Sequence, residues 1–106
     1  MTYESPARAI FEELQKLADL LEANNYRMQS LSDALRSEDD SNKWHFLTSN
    51  SLWGGAGSVA DQALLDIPDA RDELENILIR IGREQKALGK VNERTDMWLS
   101  FFESRR

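Results

Sequence analysis

Apolar residues recur along the first third of the chain at alternating steps of four and three positions, the spacing that gathers them on one face of an α-helix. The stripe consists of Ile10, Leu14, Leu17, Leu21, Asn24, Met28, Leu31 and Leu35. Ser5 and Pro6 precede it, and both residue types favour a helix start. The pattern predicts one long helix over residues 6–36. Its polar member, Asn24, either fixes the register of a helical interface or marks a local break at Asn24-Asn25.

A second stripe with the same spacing runs almost to the C-terminus and predicts another long helix over residues 69–104. It consists of Ala70, Leu74, Ile77, Ile81, Glu84, Leu88, Val91, Thr95, Trp98 and Phe102. Gly82 and Gly89 interrupt this stripe, and Gly89 could end one helix before another begins. Because the spacing keeps its phase across both glycines, we expect the helix to be continuous.

The segment between the two stripes has no lasting period. Residues 37–57 therefore form a connector, with one short helix expected around 41–48. Ser58 and Asp61 have the spacing of a capping box, which predicts a second short helix ending at Ile67-Pro68. Strand signals are missing from the sequence. We therefore predict an all-α fold, a single helical domain over residues 1–106, with the two long helices packed antiparallel as a small bundle.

Composition excludes several kinds of chemistry. The chain of 106 residues has no cysteine and one histidine, His45, so thiolate and multi-histidine metal sites are excluded. Glu-x-x-His motifs of di-metal bundles are also missing. We expect no enzymatic activity, cofactor or metal. Apolar runs fall short of the ~20 residues that span a bilayer, and charges begin within the first thirty residues, so we expect a cytoplasmic protein without a secretory signal.

The charge of the chain is unevenly distributed. The net charge is −6, and residues 1–66 hold 11 acidic and 5 basic residues, whereas the remainder holds 8 of each. Acidic density is highest at Glu38, Asp39 and Asp40, and three aromatic residues follow closely: Trp44, Phe46 and Trp53. Such a surface favours basic protein partners, since carboxylates steer and tryptophan anchors. An immunity protein that masks a basic toxin is one version of this hypothesis; a surface that only confers solubility is the alternative.

The predicted helix over residues 69–104 carries basic side chains on one face. Its members are Arg80, Arg83, Lys86, Lys90 and Arg94. These cations could contact nucleic acid phosphates. No aromatic residue is interleaved with them, so the stacking platform of single-strand binders is missing. The alternative interpretation is a solvated face, or an internal counterpart of the acidic first helix.

A glycine-rich turn before a predicted helix start is the most unusual segment. It reads Trp53-Gly54-Gly55-Ala56-Gly57-Ser58. Backbone N–H groups of Gly54, Gly55, Gly57 and Ser58 could bind an anion there. The Lys-Ser/Thr ending of a nucleotide-binding loop is missing, however. The alternative is a tight reversal in which Trp53 fills the end of the bundle.

Trp53-Gly54-Gly55 resembles the Trp-x-Gly signature of the small helical-hairpin (WXG) proteins that type VII systems export. The resemblance implies two helices joined at this motif and an exported or structural homodimer. The only tyrosines are Tyr3 and Tyr26, so the C-terminal Tyr-x-x-x-acid export signal of that family is missing. Because of this resemblance, a homodimer is the alternative to a complex with a basic protein.

Overall fold

The computed structural model describes residues 6–105, and within that range it contains helices and turns but no strand. The helices are α1 (Pro6–Ala23), α2 (Gln29–Arg36), α3 (Asp40–Leu47), α4 (Asn50–Trp53), α5 (Leu64–Asp66), α6 (Arg71–Leu88) and α7 (Thr95–Ser104). A π-helical turn, Val59–Ala63, leads into α5, and a 3₁₀ turn, Pro68–Ala70, leads into α6. The predicted all-α fold is confirmed, and so is the helical character of the connector.

The first long helix is interrupted at Asn24-Asn25, so the expectation of one helix over residues 6–36 is wrong. Asn25 adopts the left-handed conformation with φ 61°. Its N–H donates to the Glu22 carbonyl at 3.0 Å, and the Tyr26 N–H donates to the Leu21 carbonyl at 2.9 Å. This pair of bonds is a Schellman ending, in which asparagine tolerates the left-handed position. Of the two interpretations of Asn24, the local break is the one confirmed.

The second long helix is interrupted at Gly89, so the expectation of continuity over residues 69–104 is also wrong. Gly89 has φ 71°. Its N–H donates to the Lys86 carbonyl at 3.1 Å, while the Lys90 N–H donates to the Gln85 carbonyl at 3.0 Å. Leu88 and Val91 keep the apolar spacing but are 36% and 42% exposed. The regular spacing of apolar residues across Gly89 therefore does not correspond to one buried helix face.

The core forms where α1 and α6 pack along each other, the most extensive contact between two helices. Both stripes face inward there, with buried members Ile10, Leu14, Leu17 and Leu21 from α1 and Leu74, Ile77 and Ile81 from α6. Leu78 of α6, which is not a member of the stripe, is buried as well. Trp53 and α7 close one side of this core against Gly82. A Cβ atom at Gly82 would lie 3.2 Å from Leu99 and 3.4 Å from the Trp53 ring. Glycine therefore allows the close approach at this position.

Ion pairs tie α7 to α6. Arg105 contacts the carboxylate of Glu75 at 2.8 Å, and this carboxylate is buried. Nearer the end of α6, Lys86 contacts Asp96 at 2.7 Å. A third pair joins Arg83 to Glu103 at 3.3 Å. Together with the buried side of α7, these contacts hold the last helix against α6.

Candidate functional site

The predicted acidic run lies at the N-terminus of α3, and we refer to Glu38, Asp39 and Asp40 as the acidic corner. All three side chains are exposed. Asp39 also caps α3, because its Oδ1 accepts a hydrogen bond from the Ser41 backbone N–H at 2.9 Å. Asp40 follows at the first helical position and lies 3.6 Å from the Lys43 ammonium. Carboxylates at this end complement the positive end of the helix dipole, so the corner is locally stable as well as solvent-facing.

Hydrogen bonding at this cap lowers the pKa of Asp39, first through the Ser41 backbone N–H and then through the Ser41 side chain. A carboxyl with a lower pKa in the folded state contributes stability above its unfolded pKa and loses it as the pH falls through the folded pKa. We therefore expect the wild type to be more stable than Asp39→Asn near neutral pH and to lose this advantage in acid. Urea unfolding across pH measures it, with Glu38→Gln as the adjacent control. An advantage that does not change with pH would contradict the assignment.

The aromatic residue of the corner is Trp44, one turn along α3 and half-buried. Its ring meets Phe11 of α1 edge-on, with centroids 5.6 Å apart. Cations of the same chain lie over both rings: the Lys90 ammonium is 4.6 Å from the Trp44 centroid, and that of Lys43 is 5.6 Å from the Phe11 centroid. The negative faces of these rings are thus already in contact with positive charge.

A groove of about 420 Å³ continues from the acidic corner onto α1. Its lining consists of Ala7, Arg8, Phe11, Glu12, Gln15 and Asp40. Glu12 and Asp40 place carboxylates on both helices that border the groove, and Arg8 lies 3.4 Å from Glu12. No residue of α1 was predicted for this site, because α1 and α3 are distant in sequence and meet only through the tertiary fold.

Two residues predicted for the partner surface, Phe46 and Trp53, lie in the core instead. They are 3% and 0% exposed, so a docking partner cannot reach them in this structure. Both belong to short helices, α3 and α4, whose inner side packs on the core. The predicted surface therefore keeps the acidic corner and Trp44. For Trp53 the structure favours the alternative interpretation, a side chain that fills the interior.

Trp53 is held by a buried residue that no sequence pattern singles out, Gln85 of α6. Gln85 is 0% exposed, and its Oε1 accepts a hydrogen bond from the Trp53 indole at 2.9 Å. Its Nε2 donates to the backbone carbonyls of Leu47 and Lys90, each at 2.9 Å. We call this arrangement the amide clamp. It joins the α3–α4 corner to the loop after α6.

A second amide, Asn92, reinforces this junction. Its Nδ2 donates to the Thr48 carbonyl at 2.8 Å and to the Asn50 side chain at 3.1 Å. The Asn92 Oδ1 accepts a hydrogen bond from the Arg94 backbone N–H at 2.9 Å. Both polar ends of this side chain therefore hold the loop between α6 and α7 against the start of α4.

Two polar groups of the glycine-rich turn, the Ser58 hydroxyl and the Gly54 carbonyl, are hydrogen-bonded within the molecule. Ser58 is buried, and its hydroxyl donates to the Gly54 carbonyl at 2.9 Å and accepts from the Asp61 N–H at 3.2 Å. The Trp98 indole donates to the same Gly54 carbonyl at 3.2 Å. Gly57 adopts φ 89°, as a tight reversal requires. This geometry favours the reversal, and anion binding at Gly54, Gly55, Gly57 and Ser58 stays an untested prediction.

The predicted basic face does not lie on a single helix, because Lys90 and Arg94 follow the end of α6 at Leu88. Most of its cations contact groups of the same molecule. Arg80 crosses to α1 and contacts Glu13 at 3.0 Å. Lys86 and Arg83 contact carboxylates of α7, and the hydrogen bond to Asp96 raises the pKa of Lys86. Lys90 lies over Trp44. These contacts favour the internal counterpart over a phosphate-binding surface, and nucleic acid binding stays an untested alternative.

Over residues 6–105, no cluster of three or more metal-ligating side chains is present. Of the helices in that range, none has both the length and the apolar character needed to cross a membrane. No protein-family model, curated protein or solved structure matches this chain. A functional assignment therefore depends on the geometry of the acidic corner and of its neighbours.

Proposed function

We propose that this chain is a small, non-enzymatic protein-interaction module that binds a basic protein partner through the acidic corner. The observation that carries the proposal is the exposure of Glu38, Asp39 and Asp40 at one helix start. Glu12 of α1 extends the acidic surface across the groove. An inhibitor of the immunity type, which masks a basic site on a toxin in the cytoplasm, is the specific role we infer for it.

The chemistry of the corner suits a partner rich in lysine and arginine. Carboxylates steer such a partner during its approach, and like-charged competitors are repelled. Trp44 can then receive a cation of the partner in place of Lys90. A cation–π contact at an exposed site contributes only about 0.5–1 kcal/mol, so this exchange requires little energy. The burial of Phe46 and Trp53 leaves Trp44 as the aromatic anchor of the proposed surface.

Charge reversal at the corner tests the proposal. We expect Glu38→Lys/Asp40→Lys to weaken capture of a basic partner from host lysate by more than about tenfold, because like charges then face each other. Asp39 is left in place so that the cap of α3 is retained. Affinity capture with quantitative mass spectrometry measures the effect, and circular dichroism checks the fold.

The matched control reverses two exposed acids outside the acidic half, Asp69→Lys/Glu73→Lys. This control has the same change in net charge and should still capture the partner. If both variants lost capture equally, the loss would be due to net charge and not to the acidic corner. If the corner variant still captured the partner, the acidic corner would be excluded as the binding surface.

Oligomeric state separates this proposal from the homodimer. The Trp-x-Gly resemblance implies a hairpin joined at Trp53, but Trp53 lies in α4 and is buried in the core. Light scattering distinguishes the two: a monomer that captures a basic protein supports the module, and a tight dimer without such a partner supports the alternative. A partner that proved to be nucleic acid would show capture falling steeply with salt and with loss of Arg80 or Arg94.

A further inference from the structure

A polar cavity of about 270 Å³ lies at the turn between α1 and α2. The Schellman ending at Asn25 creates it by turning the chain sharply after α1. The end of α1, the turn of residues 26–28 and one side of α2 supply its walls. This volume suits the head and short body of a small organic molecule rather than a macromolecular segment.

Two arginines line this cavity, Arg27 and Arg36. They are two of only five basic residues in the acidic half of the chain, residues 1–66. Among the residues that the structure describes, neither guanidinium has an ion pair or a hydrogen bond. Arg80 and Arg83 on α6, by contrast, are each paired with a carboxylate. Arg27 and Arg36 can therefore bind an anion without breaking an existing contact.

The cavity has an apolar floor, and two residues of its lining carry hydroxyl groups that can donate hydrogen bonds. Leu21 and Leu31, each 2% exposed, lie beneath it, and Met28 is half-buried beside them. Tyr26 and Ser32 add hydroxyl groups to the lining. Partial burial, followed by the charge of Asp66, raises the pKa of Tyr26, so its phenol stays protonated and able to donate a hydrogen bond.

One carboxylate, Glu22, also lines the cavity. Two arginines and one glutamate give the lining a single excess positive charge, and the negative charge of Asp66 also acts on Tyr26. This balance matches a monoanion better than a phosphate dianion. Guanidinium groups bind carboxylates through paired N–H donors. We propose that this corner pocket binds a small organic carboxylate, with its head at Arg27 and Arg36 and its apolar body on Leu21 and Leu31.

Amide-detected NMR titration with three probes of one shape tests the proposal on the intact chain. The probes are 3-phenylpropionate, 3-phenylpropanol and 3-phenylpropylammonium, which share an apolar body and differ in the charge of the head. We expect 3-phenylpropionate to give saturable shifts confined to residues around 18–36, with a dissociation constant on the order of 1 mM. The alcohol should bind more weakly, and the ammonium probe should give no saturable shift.

Removing both guanidiniums is the second arm. We expect Arg27→Gln/Arg36→Gln to weaken binding of 3-phenylpropionate by about tenfold or more, because each substitution removes a charge-assisted hydrogen bond to the carboxylate. Arg83→Gln removes an arginine outside the pocket and should leave binding unchanged. Equal binding of the acid and the alcohol, shifts scattered over the molecule, or unaltered binding by the double variant would each overturn the proposal. The three wild-type titrations decide the question even if a variant folds poorly.

Discussion

Replacing Gln85 by methionine is expected to lower the free energy of unfolding by at least about 3 kcal/mol. Methionine has nearly the same shape, so the change removes the amide clamp without opening a large cavity. The Trp53 indole and the carbonyls of Leu47 and Lys90 then lose their partner. A buried polar group left without a hydrogen bond costs about 1–3 kcal/mol. Urea unfolding followed by circular dichroism measures the loss.

The matched control is Gln15→Met on α1, because Gln15 is exposed and bonds only across one turn, to Asp19 at 3.0 Å. Surface substitutions of this kind change stability by no more than about 0.5 kcal/mol. If Gln85→Met cost no more than Gln15→Met, the three hydrogen bonds of the amide clamp would contribute nothing net to stability.

Replacing Gly54 by alanine is expected to destabilise the protein by about 2–3 kcal/mol. A Cβ atom there would overlap the Asn50 carbonyl oxygen and lie 2.7 Å from the Asn50 Cβ. The Gly54 N–H donates to that same carbonyl, and the Gly54 carbonyl accepts hydrogen bonds from Ser58 and Trp98. Relief of the clash must therefore disturb the hydrogen bonds of the turn, in the range that overpacking costs. Thermal and urea unfolding both measure the change.

Gly57→Ala separates this steric effect from conformational strain. Gly57 has φ 89° and open space where a Cβ would be placed. Alanine there should cost only about 1 kcal/mol, the penalty for a left-handed residue with a side chain. A smaller loss at Gly54 than at Gly57 would mean that the contact with Asn50 relaxes easily.

The sequence predicted which faces of the long helices are buried, but not where the helices end. Leu17 and Ile81 are both fully buried, as their stripes indicated. The breaks at Asn25 and Gly89 depend on residues that tolerate a positive φ, an advantage of about 1 kcal/mol that hydrophobic spacing does not record. Periodicity continued across both breaks, so spacing alone favoured helices that were too long.

The candidate site was predictable only where the signal is local. The charges of Glu38, Asp39 and Asp40 are local, because they can be read from three neighbouring residues. Phe46 lies on a helix of 8 residues and Trp53 on one of 4, too short for a stripe to show which side is buried. The contribution of Glu12 and the pairing of Gln85 with Trp53 depend on tertiary contacts between distant segments.

The amide clamp has a consequence for motion in the native state. One side chain on α6 bonds to the end of α3, to α4 and to the loop that follows α6. Opening any one of these segments breaks hydrogen bonds that hold the others, so they should fluctuate as one cooperative unit. Native-state hydrogen exchange should then give the amides of Thr48, Trp53 and Lys90 similar protection, close to that of global unfolding.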